Sequence, residues 1–233
     1  MNCYRMGIRI SLALAFALAG AVLANPARAG SVCYLVTADT SGISGTPGFL
    51  EAQLSASMVL TSPTVTATIS NFSSPGGTLG SVSYNNGVTG SFSDPPATMN
   101  NTPTNGSPAD LQQNFSYGST FSFEVTLSGS EIGNTSSGAS TGTIFSFFLE
   151  DQNGNYLSNG PPFSGGGQAF DIFVNPSGAG TGTLVDNYGP LNSNGPTVTI
   201  TPCAAVPEPS SMILMGLGLG AVVVIRRSRG QRS

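Results

Sequence analysis

The chain has 233 residues, and only 8 % of them are charged, about a third of the share in an ordinary globular domain. All seven basic residues are arginines lying before residue 30 or after residue 225, so the stretch from Gly30 to Val206 holds ten of the eleven acids and no Lys, Arg or His. This excludes a nucleic-acid binder, which must neutralise phosphates, and it excludes catalysis by histidine, lysine or an arginine clamp; carboxylates, hydroxyls and backbone amides are the remaining chemical tools.

The first element is an address. Arg5 and Arg9 precede an apolar run from Ile10 to Ala24, and Ala27-Arg28-Ala29 follows before Gly30. Charged, apolar and small-residue parts in that order make residues 1–29 a secretory signal peptide, cut by signal peptidase between Ala29 and Gly30, with a cut after Ala24 as the alternative. Cys3 stands ahead of the apolar run rather than at its end, so a lipoprotein reading fails.

Residues 30–205 read as one Gly/Ser/Thr-rich β domain. Phe121, Phe123, Val125 and Leu127 alternate with Ser122, Glu124, Thr126 and Ser128, the period-2 pattern of a half-buried strand. The pattern recurs at 50–60 (Ala52, Leu54, Ala56, Met58), at 64–72 (Val65, Ala67, Ile69) and at 197–201 (Val198, Ile200). Further strands are predicted at 32–38, 79–84, 88–92, 111–117, 142–150, 168–174 and 181–186. Turn clusters such as Asn85-Asn86-Gly87, Asn153-Gly154 and Asn194-Gly195-Pro196 punctuate them. No helical period lasts ten residues, so the expected fold is all-β, an antiparallel sandwich or jelly roll of about ten strands. The longest predicted break is Ser93 to Asp110, with four prolines.

Two cysteines survive removal of the signal, Cys33 near the start of the domain and Cys203 near its end. In an oxidising compartment they are expected to form a disulfide that pins the first and last strands together.

The chain closes on Val206-Pro207-Glu208-Pro209, an apolar run from Met212 to Ile225, and the basic cluster Arg226, Arg227 and Arg229. The run rises about 21 Å as a helix, a marginal transmembrane span that Ser210 and Ser211 must extend, and the arginines after it hold that side in the cytoplasm. Pro207, Glu208 and Pro209 followed by a short apolar helix and terminal arginines resemble the PEP-CTERM sorting signal of exported bacterial proteins, here residues 206–233. The resemblance implies an inner-membrane-tethered precursor, exosortase as a processing partner beside signal peptidase, and delivery to the cell surface or outside. Proteins of this kind often accompany exopolysaccharide and biofilm production, so an exopolysaccharide is the macromolecular partner the resemblance suggests. The stretch Ser-Phe-Phe-Leu-Glu-Asp-Gln-Asn-Gly-Asn at 146–155 also resembles uncharacterised PEP-CTERM proteins, and no activity comes with it.

Paired carboxylates are the one catalytic device still open, with Glu124, Glu131, Glu150, Asp151 and Asp171 as candidates for a glycosidase. Glu150-Asp151-Gln152-Asn153-Gly154-Asn155 offers hard oxygen ligands, yet its glycine is misplaced for an EF-hand and the segment reads better as a hairpin with an Asn-Gly turn. No cofactor is expected; calcium is the one candidate, because the acids of the domain have no internal counter-charge. There is no Trp; Tyr34, Tyr84, Tyr117, Tyr156 and Tyr188 could stack on a sugar, although tyrosines scattered at strand ends more often serve packing with a wetted hydroxyl. Phe145, Phe147 and Phe148 are expected in the core. The leading expectation is a non-enzymatic exported β-sandwich with a structural or interaction role. A carbohydrate-binding module is the alternative, and a carboxylate-based hydrolase the third reading.

Overall fold

The computed structural model describes residues 31–55, 65–101, 107–129, 132, 143–160, 166–174 and 183–203. The predicted signal peptide, the sorting segment with its apolar run, and Glu131 lie outside the described residues. Strands follow one another with no helix longer than the three-residue 3₁₀ turn Ser41–Ile43 among the described residues. They are β1 (Ser31–Asp39), β2 (Pro47–Ser55), β3 (Val65–Ser73), β4 (Thr78–Asn85), β5 (Ala97–Asn100), β6 (Ala109–Ser116), β7 (Thr120–Gly129), β8 (Ile144–Asp151), β9 (Gln168–Val174), β10 (Thr183–Asn187) and β11 (Thr197–Pro202).

Two antiparallel sheets result, a five-stranded one in the order β11-β1-β7-β3-β5 and a six-stranded one in the order β10-β9-β8-β2-β6-β4. Period-2 alternation explains why they stack. Phe121, Phe123, Val125 and Leu127 turn their side chains inward from the first sheet, and Leu50, Ala52, Leu54, Phe145, Phe147 and Leu149 meet them from the second. Rings fill the layer: Phe147 lies 5.0 Å from Phe123 and 5.5 Å from Phe170, centroid to centroid. Each buried phenylalanine contributes roughly 2 to 3 kcal/mol of hydrophobic stabilisation. Residues 29–203 close around this core as a compact unit.

The predicted disulfide is present. Cys33 and Cys203 are bonded with their Cα atoms 5.3 Å apart, and the Cys203 amide donates to the Cys33 carbonyl at 2.9 Å, continuing the β1–β11 ladder.

One stretch departs from the sequence reading. Residues 88–92 are not a strand, and the predicted break at Ser93 to Asp110 contains β5, whose Ala97 and Met99 are fully buried. Pro95 and Pro96 reverse the chain, so Thr89 meets Thr98 in an isolated antiparallel bridge with paired bonds of 2.9 and 2.8 Å. Gly90 sits at φ +73°, and a Cβ there would come within 2.2 Å of the Pro96 carbonyl oxygen, so only glycine lets the two segments cross so closely. The Phe92 amide finds its acceptor in the buried Gln113 side chain at 3.0 Å, which in turn donates to Gly80 and Ser93. Side-chain bonding thus replaces the ladder that alternation alone would have predicted.

Candidate functional site

Residues between the inward-facing positions of β2, β6 and β8 point to the outer face of the six-stranded sheet. Strand order puts three acids side by side there: Asp110 on β6, Glu51 on β2 and Glu150 on β8. Glu51 and Glu150 are buried, at 7 % and 4 % exposure, although they face away from the core. The Glu51 carboxyl is in hydrogen-bonding contact with those of Glu150 and Asp110. Gln53 donates to Glu51 along the same strand, and Gln112 reaches across β2 to donate to Glu150 at 3.1 Å. Asp110 Oδ1 is buried and accepts nothing.

The cover over this cluster is the chain that leaves β8. Asp151 accepts from the amides of Asn153 and Asn155 at 2.8 and 2.9 Å and from the Asn155 side chain at 2.8 Å, closing a tight turn in which Gly154 takes φ +77°. Tyr156 then pairs back with Glu150, and its ring packs on Phe148 at 5.5 Å. Phe148 is therefore buried on the outer face under Tyr156, not in the core with Phe145 and Phe147 as the pattern suggested. Gly167 completes the cover: a Cβ there would fall 2.0 Å from Tyr156 Cγ, so the bare backbone lies directly against the ring.

Burial and mutual repulsion set the titration of the cluster. Desolvation, then contact with Glu150, pushes the Glu51 pKa up to about 7. Desolvation and the Glu51 charge raise Asp110 to about 6. Burial, then the three acids together, raises the Tyr156 phenol above its ordinary value. The turn behaves oppositely, since the Asn155 side chain and the nearby amides hold the Asp151 carboxyl below the usual range.

A second outer-face group lies on β8 and β9. Asp171 accepts from Ser146 at 2.5 Å and from the Tyr188 hydroxyl at 3.0 Å, and burial raises its pKa. Glu124, in contrast, stands apart on β7, where it accepts from Asn71 at 2.9 Å. Of the described acids singled out from sequence, only Glu150 joins the cluster; Glu51 and Asp110 were missed. The signal for Glu51 was an acid on the polar side of an otherwise apolar alternating strand, but nothing local paired it with residues 110 and 150.

This geometry has chemical consequences. A glycosidase pair needs carboxyls about 5 to 9.5 Å apart, whereas Glu51 and Glu150 are in direct contact. Among the described residues, Cys33, Glu124 and Cys203 bring their ligand atoms all within 4.8 Å of one another, but the two sulfurs are already joined to each other. The Glu150–Asn155 run folds as the hairpin turn, with both Asp151 oxygens taken by amides. Among the described residues, Tyr117 is buried with its hydroxyl shared between the Phe49 and Glu150 carbonyls, while Tyr84 is exposed on β4. Beside Tyr156, however, Asn155, Ser158, Asn159, Gly160 and Leu191 line a shallow depression of about 510 Å³.

Comparison with protein families finds the PEP-CTERM protein-sorting motif at residues 205–229, a span that includes Pro207, Glu208 and Pro209 and the basic cluster Arg226, Arg227 and Arg229. The chain is thus an exported, exosortase-sorted protein with a membrane-anchored precursor. No curated protein and no solved structure matches it.

Proposed function

We propose that this protein is a non-enzymatic β-sandwich module, released by exosortase to the cell surface or the extracellular matrix and acting there through structural contacts. The observation that carries the reading is the order of parts at the C-terminal end: the disulfide at Cys203 closes the sandwich two residues before the sorting motif begins. Cleavage beyond that point would free a domain whose last strand is already covalently fastened. The test is intact mass and fractionation of the native protein in hosts with and without exosortase. The segment after Pro207-Glu208-Pro209 is expected to be lost only when the enzyme is present, with the shortened protein in the surface or matrix fraction. An unchanged full-length protein in the inner membrane of both hosts would overturn the reading.

The depression beside Tyr156 favours one second reading, binding to exopolysaccharide. The Tyr156 ring that lines it, together with the side chains of Asn155, Ser158 and Asn159, offers the apolar contact and the hydrogen-bonding groups that a sugar requires. The released protein should then be retarded in a native gel containing the host's own exopolysaccharide, and Tyr156→Ala should abolish the retardation. Equal mobility with and without the polymer removes this reading and leaves the first intact.

A further inference from the structure

A β-sandwich has four sheet edges, and an edge strand with free amides and carbonyls invites another strand. Three of the four are protected here. The outer side of β5 is taken by Thr89, bonded to Thr98 in both directions. The β11 edge is capped where the Asn187 side chain donates to the Val198 carbonyl at 2.7 Å, and it ends in Pro202. β10 is five residues long, carries Asp186 and is tied to the other sheet by a 2.5 Å bond between the Thr183 and Tyr34 hydroxyls. The fourth edge is β4, eight residues long and exposed along most of its length, which among the described residues pairs with β6 alone.

Two features of β4 say what fits it. The six-stranded sheet is one strand wider than the sheet it faces, so Val82 and Tyr84, which share the core-facing side with Leu111 and Gln113, are 38 % and 58 % exposed. Thr78 to Asn85 also contains no charged residue, on a domain that holds ten acids and no base; the nearest acid in the ladder is Asp110, across from Asn85. A basic partner would be drawn to the acids elsewhere, whereas two copies of so acidic a domain can approach closely only where neither carries charge. An antiparallel pair of identical strands is also two-fold symmetric, which lets one edge complement itself.

We propose that β4 is a self-association edge, pairing antiparallel with β4 of a second copy. The irregularity between Leu79 and Val82 ends the regular edge, so the usable ladder runs from Val82 to Asn85. Centring it on Ser83 sets each Tyr84 against Val82 of the second copy, an aromatic and β-branched cross-strand pair repeated twice. Three residue pairs, 82 with 84, 83 with 83 and 84 with 82, make a small contact, and the dimer is accordingly weak and concentration-dependent.

Covalent trapping in the oxidising compartment tests this. Ser83→Cys and Ser81→Cys are made in the full chain, and the exported protein is run on a non-reducing gel. In the proposed register residue 83 faces its own copy, while the two residues 81 lie well beyond the roughly 7 Å that a disulfide can span. S83C should shift the chain to a reducible species of twice the monomer mass, S81C should stay monomeric, and adding Val82→Lys to S83C should restore the monomer while export and the Cys33–Cys203 bond persist. Absence of a dimer with S83C, or equal dimer with S81C, overturns the proposal. A cross-link of S83C to a chain of different mass overturns the choice of a second copy as occupant.

Discussion

Serine at both Cys33 and Cys203 should lower the unfolding free energy by up to about 5 kcal/mol, the value the chain-entropy model assigns to a loop of this size. The two cysteines are 170 residues apart, so the bond closes nearly the whole domain into one loop and restricts the unfolded chain strongly. A local effect accompanies it. β11 is a six-residue edge strand with Val198 as its one buried apolar side chain, so beyond its ladder to β1 and the half-buried Ile200 little holds it in place. Denaturant unfolding of the oxidised protein and of the double variant gives the difference, and limited proteolysis should show cleavage in β11 only in the variant. A loss under about 1 kcal/mol would mean that the β1–β11 ladder suffices without the bond.

The second large effect is on pH dependence. Glu51 and Asp110 have folded-state pKa values raised to about 7 and about 6, above those of the unfolded chain. The folded protein therefore keeps protons that the unfolded chain has released, and stability falls as the pH rises from about 4 to about 7. At about 1.4 kcal/mol per pKa unit the raised Glu51 alone corresponds to roughly 3 kcal/mol, a total that the coupled groups share. For a domain of this size that is a fall of roughly 5 to 10 °C in Tm between pH 5 and pH 8. Asp39 and Asp151, whose pKa values are lowered, act in the opposite sense and withdraw stability only below about pH 4, so the optimum lies near pH 4 to 5. Glu51→Gln removes the group that must ionise without a counter-charge, and it should flatten the profile and raise Tm at pH 8. A flat profile in the parent protein, or an unchanged slope in the variant, would show that the cluster is not the source.

What the sequence made legible follows the range of the interactions involved. β7 could be read directly, because its alternation from Phe121 to Leu127 is a local property that packing simply preserves. The Asp151–Asn155 turn was legible for the same reason, its bonds being made within five residues. β5 was hidden because its partners are fixed by a reversal at Pro95-Pro96 and by Gln113, whose contacts lie 20 and more residues away. The carboxyl cluster was hidden more deeply. Glu51, Asp110 and Glu150 become neighbours only through the order β6-β2-β8, and no pattern within any one strand announces that order. Phe148 was misplaced because a residue buried beneath a returning loop is as apolar as one in the core.

The position of the disulfide also determines how the domain would bear tension. While the precursor is anchored, any pull from the membrane side enters the sandwich at Cys203. Without a cross-link that force would peel β11 away one hydrogen bond at a time, the geometry in which a ladder is weakest. The bond to Cys33 shares the load with β1, which is paired along its length with β7 and along most of it with β11, so that β11 cannot be stripped away alone. The sandwich is thus mechanically reinforced at the point where its tether attaches.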